Sequence, residues 1–236
     1  MATNLAAASV PGTANDESNA TVSPPTTDAK TDNAVPSDEL PSAETRRKAE
    51  ELPVLDREGN SHAFKSLYQG PNSASRVLSC QEFLRALCES VRPEDLQRLP
   101  VSTSIAIVGC GDPRLIDFYA TETKCPYPIY ADPTRKLYDE FGMVMSFAMG
   151  ARPAYFRQSM TSLIASSFVQ GFKNLSNGLI LKGGESRQNG GEFLFEGGEE
   201  KEMKWCHRMT NTRDHAGIPE LKRVLDSEGK VLGTHA

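Results

Sequence analysis

The 236-residue chain has no apolar run approaching the ~18 residues of a membrane span. Its opening, "MATNLAAASV", carries neither a basic segment nor a long apolar core, so neither a secretory leader nor an Arg-rich transit peptide is expected there. Aromatic residues are missing from the first 45 positions, which hold seven acids, one Lys and five Pro. Such a segment buries too little apolar surface to offset chain entropy and reads as a disordered acidic leader. Basic excess is also lacking. The net charge is −5, and the leader accounts for more than that deficit. Nothing calls for a nucleic-acid partner.

Metal and nucleotide signatures are incomplete. Cys206 and His207 are adjacent and point to opposite faces of a strand, and no Cys/His cluster has zinc spacing. "IAIVGCGDP" holds Gly109 and Gly111 of a dinucleotide loop, but Arg114 stands where the third glycine belongs. No metal or cofactor is therefore expected. The five cysteines, Cys80, Cys88, Cys110, Cys125 and Cys206, form no dense framework and no C-x-x-C pair. That pattern suits a reducing compartment, cytosolic or nuclear.

What is present is an alternation of strands and helices. Thr45–Asp56 reads as a short helical lead-in followed by an extended Val54–Leu55 pair. Phe64 and Leu67 mark a short edge strand after the turn at "DREGN". Phe83, Leu84, Leu87 and Val91 fall at helical spacing, so Arg76–Val91 reads as an amphipathic helix. Ser102–Gly111 is the strongest strand signal. Asp112–Pro113 and Asp132–Pro133 cap the two helices that follow, and Gly142 stops the second. Ser159–Leu175 reads as helical within an irregular 143–188. "NGGEFLFEGGEE" and "KWCHRM" form a hairpin, and "GIPELKRVLDSEG" is a last helix.

Strand–helix–strand–helix followed by a hairpin and a covering helix predicts an α/β, thioredoxin-like sandwich with a central mixed sheet flanked by helices. The expected division is a leader at 1–48, a domain at 49–228 and a tail at 229–236. Cys80 heads the apolar helix, where the helix dipole and free N–H groups favour a thiolate.

"CQEFLRAL", "SIAIVGCGDPRLIDFYATETKCPYPIYADPTRKLYDEFGM", "NGGEFLFE" and "KWCHRMTNTRDHAGIPELKRVL" together resemble the peroxiredoxin-like AhpC/TSA antioxidant enzyme-domain family, most of all its fungal members. The resemblance spans roughly residues 50–226. It implies thiol redox chemistry, with a peroxide or disulfide as substrate and a thiol reductant such as thioredoxin or glutathione. It carries no implication for oligomeric state. In this branch a strand runs into C-x-x-C on the next helix, and Cys80 matches the second cysteine of that pair. Val77 occupies the place of the first. The strand before Cys80 is too short in apolar residues to be a buried parallel strand, so it is expected to be missing, or replaced by a stub near Arg76–Leu78. Cys80 is the one catalytic candidate the resemblance offers. Resolution against Cys110 or Cys125, a non-catalytic binding module and a family member without activity are the alternatives. Trp205, Arg208 and Arg213 are expected to keep shape, and His207 and His215 to be ordinary hydrogen-bonded histidines.

Overall fold

The computed structural model describes residues 36–68, 75–77, 81–99, 102–151, 183–196 and 202–227. The first helix, α1 (Ala43–Glu50), is capped by Ser42, whose hydroxyl accepts from Thr45 N at 3.1 Å. It leads into a hairpin of β1 (Pro53–Leu55) and β2 (Ser61–Ala63). The Asp56 carboxylate ties the turn by accepting from Glu58 N and Asn60 N at 3.1 and 2.8 Å. Phe64–Tyr68 then forms a 3₁₀ turn rather than the expected edge strand, which swings Phe64 and Tyr68 into the core.

β3 (Ser75–Val77) precedes α2 (Gln81–Ser90). The helix is thus shorter than the expected 76–91, because its first residues are taken by a strand. α3 (Pro93–Gln97) and β4 (Ile107–Gly109) follow. A 3₁₀ turn at Pro113–Leu115, capped by Asp112, runs into α4 (Ile116–Thr123). β5 (Ile129–Ala131) and α5 (Lys136–Glu140) complete this half. Asp132 accepts from Leu137 N at 2.9 Å, and Gly142 closes the helix at φ 70°. β6 (Gly191–Phe195), β7 (Met203–Arg208) and α6 (Ile218–Ser227) finish the described chain. The helix expected at Ser159–Leu175 lies outside the described residues.

The strands form two sheets, ordered β2-β1-β5-β4 and β3-β6-β7. β4 and β5 are parallel, with Ile107 opposite Ile129, and the other pairs are antiparallel. β3 pairs with β6, Val77 facing Phe193, and lies beside β4. Among the described residues no ladder joins β3 to β4. β4 is shorter than the expected Ser102–Gly111, and its three residues pair with β5.

Both faces are covered. Val108 points to a cluster with Phe64, Tyr68, Phe141, Phe193 and Phe195. Its neighbours Ile105 and Ile107 point the other way, to Phe83, Leu84, Leu87, Leu221 and Leu225. This period-two alternation makes β4 the shared wall of two cores. The result is a mixed α/β sandwich of the thioredoxin-like kind, with strands in the middle and helices on both sides.

Residues 37–39, ahead of the expected leader boundary that falls inside α1, are held against β7. The reason is Arg208. Its guanidinium donates to the Phe141 carbonyl at 2.5 Å, to the Glu39 carbonyl at 2.8 Å and to the Ser37 carbonyl. The Cys206 thiol donates to Asp38 O at 3.2 Å, and the Arg208 N–H to the Asp38 carboxylate at 2.8 Å. "WCHR" is therefore a clamp on residues 37–39, the shape-keeping role expected of Arg208.

His207 belongs to the same clamp, 3.1 Å from the Asp38 carboxylate and 2.8 Å from the Asp214 carbonyl. Burial alone would pull its pKa down, but Asp38, Glu192 and the Asp214 carbonyl outweigh it, and the pKa stands above 6.5. A raised pKa contributes stability that is complete below 6.5 and lost as pH rises through the folded value. Urea midpoints measured from pH 6 upward should therefore fall with pH, and His207→Ala should flatten that slope. An unchanged slope would remove His207 from the account.

Candidate functional site

In an α/β fold, ligands gather at the carboxyl ends of parallel strands. Here that edge is Gly109–Gly111 after β4 and Ala131 after β5. It opens on a cavity of about 90 Å³ whose wall includes Leu84, Cys110, Leu115, Tyr119, Ile129 and Tyr130. Leu84 comes from α2. Its stripe, Phe83, Leu84, Leu87 and Val91, is wholly buried against Ile105, Ile107, Leu221 and Leu225. The expected helical spacing thus fixes α2 over the strand edge.

Cys110 sits in this wall. Its thiol lies 4.0 Å from the Glu185 carbonyl, and burial pushes its pKa up. Gly184 presses on it. A Cβ there would meet Cys110 O and Sγ at 2.8 Å, and its φ of +88° favours glycine as well. A thiol held neutral and hemmed in this way is a poor nucleophile.

Cys80, the catalytic candidate, lies outside the described residues. It stands immediately before Gln81, the first residue of α2. Cys88 lies in the third turn of α2, and Cys125 follows α4. These two side chains hydrogen-bond each other. The structure therefore brings Cys88 to Cys125, and places Cys110 apart in the cavity wall. Cys206 is committed to the clamp.

One buried pair has no counterpart among the expectations. The Glu192 carboxylate, on the second residue of β6, lies 2.5 Å from His215 Nδ1, and both side chains are fully enclosed. Glu192 also accepts from Ala216 N at 3.4 Å. The His215 ring stacks on Phe83 of α2, with centroids 4.2 Å apart and planes 4° from parallel. The available signal was an acid inside the apolar run "GEFLF", where burial demands a partner.

Among the described residues no group of three or more His, Cys, Asp or Glu side chains is placed to hold a metal ion. None of the helices they form is long and apolar enough to cross a membrane.

Residues 90–211 match the family described as AhpC/TSA antioxidant enzyme. Cys80 lies ahead of that span. The chain is similar to peroxiredoxin-like 2C of Takifugu rubripes, at 28% identity over 181 residues, 72% of this chain and 77% of the relative. Among solved structures, the bacterioferritin comigratory protein of Xanthomonas campestris, studied for its alkyl peroxide reduction, superposes with a TM-score of 0.49 at 10% identity. The alignment covers 81% of this chain and 98% of that one. Peroxidoxin BcpB of Mycobacterium tuberculosis gives a TM-score of 0.46 at 8% identity, over 84% and 97% of the two chains.

Proposed function

Since the chain belongs to the AhpC/TSA antioxidant enzyme family, we propose that it is a thiol-dependent reductase of peroxides or disulfides that works through Cys80. The observation that supports this reading is the start of α2 at Gln81, with its apolar stripe anchored and Leu84 in the cavity wall. Cys80 leads into a fixed ten-residue helix and stands four positions before that wall residue. The unpaired N–H groups of such a helix favour a thiolate.

In the proposed cycle the Cys80 thiolate attacks one peroxide oxygen. The O–O bond breaks, the departing oxygen takes a proton, and Cys80 becomes a sulfenic acid. A thiol of the thioredoxin or glutathione class then attacks that sulfur and releases water. A second thiol restores Cys80 and leaves the reductant as a disulfide. The external thiol does the resolving because Val77 stands where the family pattern has its other cysteine. Residues 49–228 would carry the activity, in a reducing compartment such as the cytosol or nucleus.

The test is peroxide consumption by the full chain with thioredoxin or glutathione as reductant. Cys80→Ser should remove most of the turnover. Turnover unchanged by the substitution removes Cys80 from the reaction. No turnover by the native chain favours the second reading, a non-catalytic thioredoxin-fold binding module. Val77, in the place of the family pattern's first cysteine, supports that alternative.

A further inference from the structure

The two thiols at Cys88 and Cys125 face each other across α2 and the turn after α4, and the contact is bracketed on both sides. One step of three residues before Cys88, Arg85 Nε donates to the Glu122 carbonyl at 3.2 Å, and its guanidinium lies 3.8 Å from the Glu122 carboxylate. One step of three residues after Cys88, the Val91 carbonyl accepts from Tyr127 Oη at 2.6 Å. Residues three apart share a helix face. Arg85, Cys88 and Val91 thus form one row, and Glu122, Cys125 and Tyr127 form the row opposite. The second row is fixed by its own turn. Lys124 takes the left-handed conformation at φ 51°, and Cys125 N donates back to the Ala120 carbonyl at 3.0 Å. The thiols are held in register by polar contacts above and below them, not by apolar crowding alone.

We propose that Cys88 and Cys125 are a second redox centre, a dithiol that closes to a disulfide when a hydroperoxide oxidises Cys125, without any need for Cys80. The pair stands on the contact that the two rows fix, and the shared hydrogen bond favours Cys125 as the first thiol to react. The Cys88 thiol donates to the Cys125 sulfur, which pushes the Cys125 pKa down and the Cys88 pKa up. Burial opposes the fall at Cys125, and the Tyr127 carbonyl, 3.7 Å from its sulfur, completes the surroundings. Both residues are half-buried, neither sealed in the core nor open to bulk solvent.

The chemistry balances without another group. The Cys125 thiolate attacks one oxygen of the hydroperoxide and the O–O bond breaks. The leaving alkoxide takes a proton and departs as an alcohol. Cys125 is then a sulfenic acid, its sulfur oxidised by the two electrons the peroxide has gained. Cys88, losing its proton, attacks that sulfur. An S–S bond forms, the S–O bond breaks, and hydroxide with the released proton leaves as water. Two thiols and one hydroperoxide give one disulfide, one alcohol and one water. A dithiol reductant returns the pair to its starting state.

The experiment uses the full chain and its Cys80→Ser variant, each reduced and freed of reductant. Each is treated with a small excess of hydrogen peroxide, blocked with N-ethylmaleimide and digested without reduction for mass spectrometry. In Cys80→Ser, titratable thiols should fall from four to two. Both proteins should yield a Cys88–Cys125 linked peptide two hydrogens lighter than its parts, lost on treatment with dithiothreitol. In Cys125→Ala the link should vanish and Cys88 should be recovered alkylated. Recovery of both cysteines alkylated from the oxidised native chain would overturn the proposal. So would a link from Cys125 to a different cysteine, or a Cys88–Cys125 link that forms in the native chain and not in Cys80→Ser. The readout is the covalent link and not turnover, so it stands apart from the peroxidase test of Cys80.

Discussion

Glu192→Ala lowers the stability of the domain by about 3–5 kcal/mol, the scale for removing one member of a fully buried polar pair. Glu192 and His215 are both enclosed and 2.5 Å apart. Removing the carboxylate takes an acceptor from the His215 Nδ1 side and from Ala216 N, and leaves a void beside the start of β6. Marginal domains have only about 5–15 kcal/mol in total, so a large part of the native margin goes. Glu192→Gln keeps the volume and an acceptor oxygen, and should lose less than half as much. Urea unfolding of the three proteins checks both statements. A Glu192→Ala midpoint within error of the native one would mean that the pair contributes little to folding. His215 stacks on Phe83, so the same variant should also weaken amide protection along α2, measurable by hydrogen exchange.

Phe64→Ala should cost a similar amount, about 3–5 kcal/mol, for an apolar reason. Its ring is fully buried and meets Tyr68, Phe141 and Phe195 edge-on at 5.5, 5.6 and 5.7 Å. Tyr68 and Phe195 stack at 4.2 Å beside it. Phe64 thus joins the 3₁₀ turn, the α5 end and β6 in one aromatic group, and its truncation leaves a cavity bordered by rings too rigid to collapse into it. A fall in thermal midpoint on the order of 10 °C is expected for a domain of this size. Phe64→Leu, which keeps most of the volume, should lose about 1–2 kcal/mol. Equal losses for the two substitutions would contradict the cavity account.

Elements that rest on local pattern were legible in the sequence. The stripe Phe83, Leu84, Leu87 and Val91 is the buried face of α2, and Asp112, Asp132 and Gly142 cap and stop helices as their types require. The β6–β7 hairpin and α6 follow glycine and apolar spacing in the same way. Features made by distant residues were not legible. Cys88 and Cys125 share no motif, and only the packing of α2 against α4 aligns their rows. Glu192 and His215 lie apart in the chain, and an acid inside an apolar run calls for a partner without naming it. The lengths of β4 and α2 are not written in local pattern either, because a strand's extent depends on its neighbours' hydrogen bonds, and Ser75–Val77 pairs with β6. Cys80 follows from the family pattern alone and lies outside the described residues.

The clamp of Arg208 on Ser37 and Glu39 bears on the order in which the chain can mature as it is made. The Ser37 and Glu39 carbonyls it binds are synthesised early, and the guanidinium that satisfies them comes 171 and 169 positions later. Contacts of such long sequence separation close late. On the ribosome, residues 37–39 must wait, without these partners, until β7 has emerged. A nascent chain halted before residue 208 should therefore be cut by protease around residues 37–42, and one extended past α6 should resist.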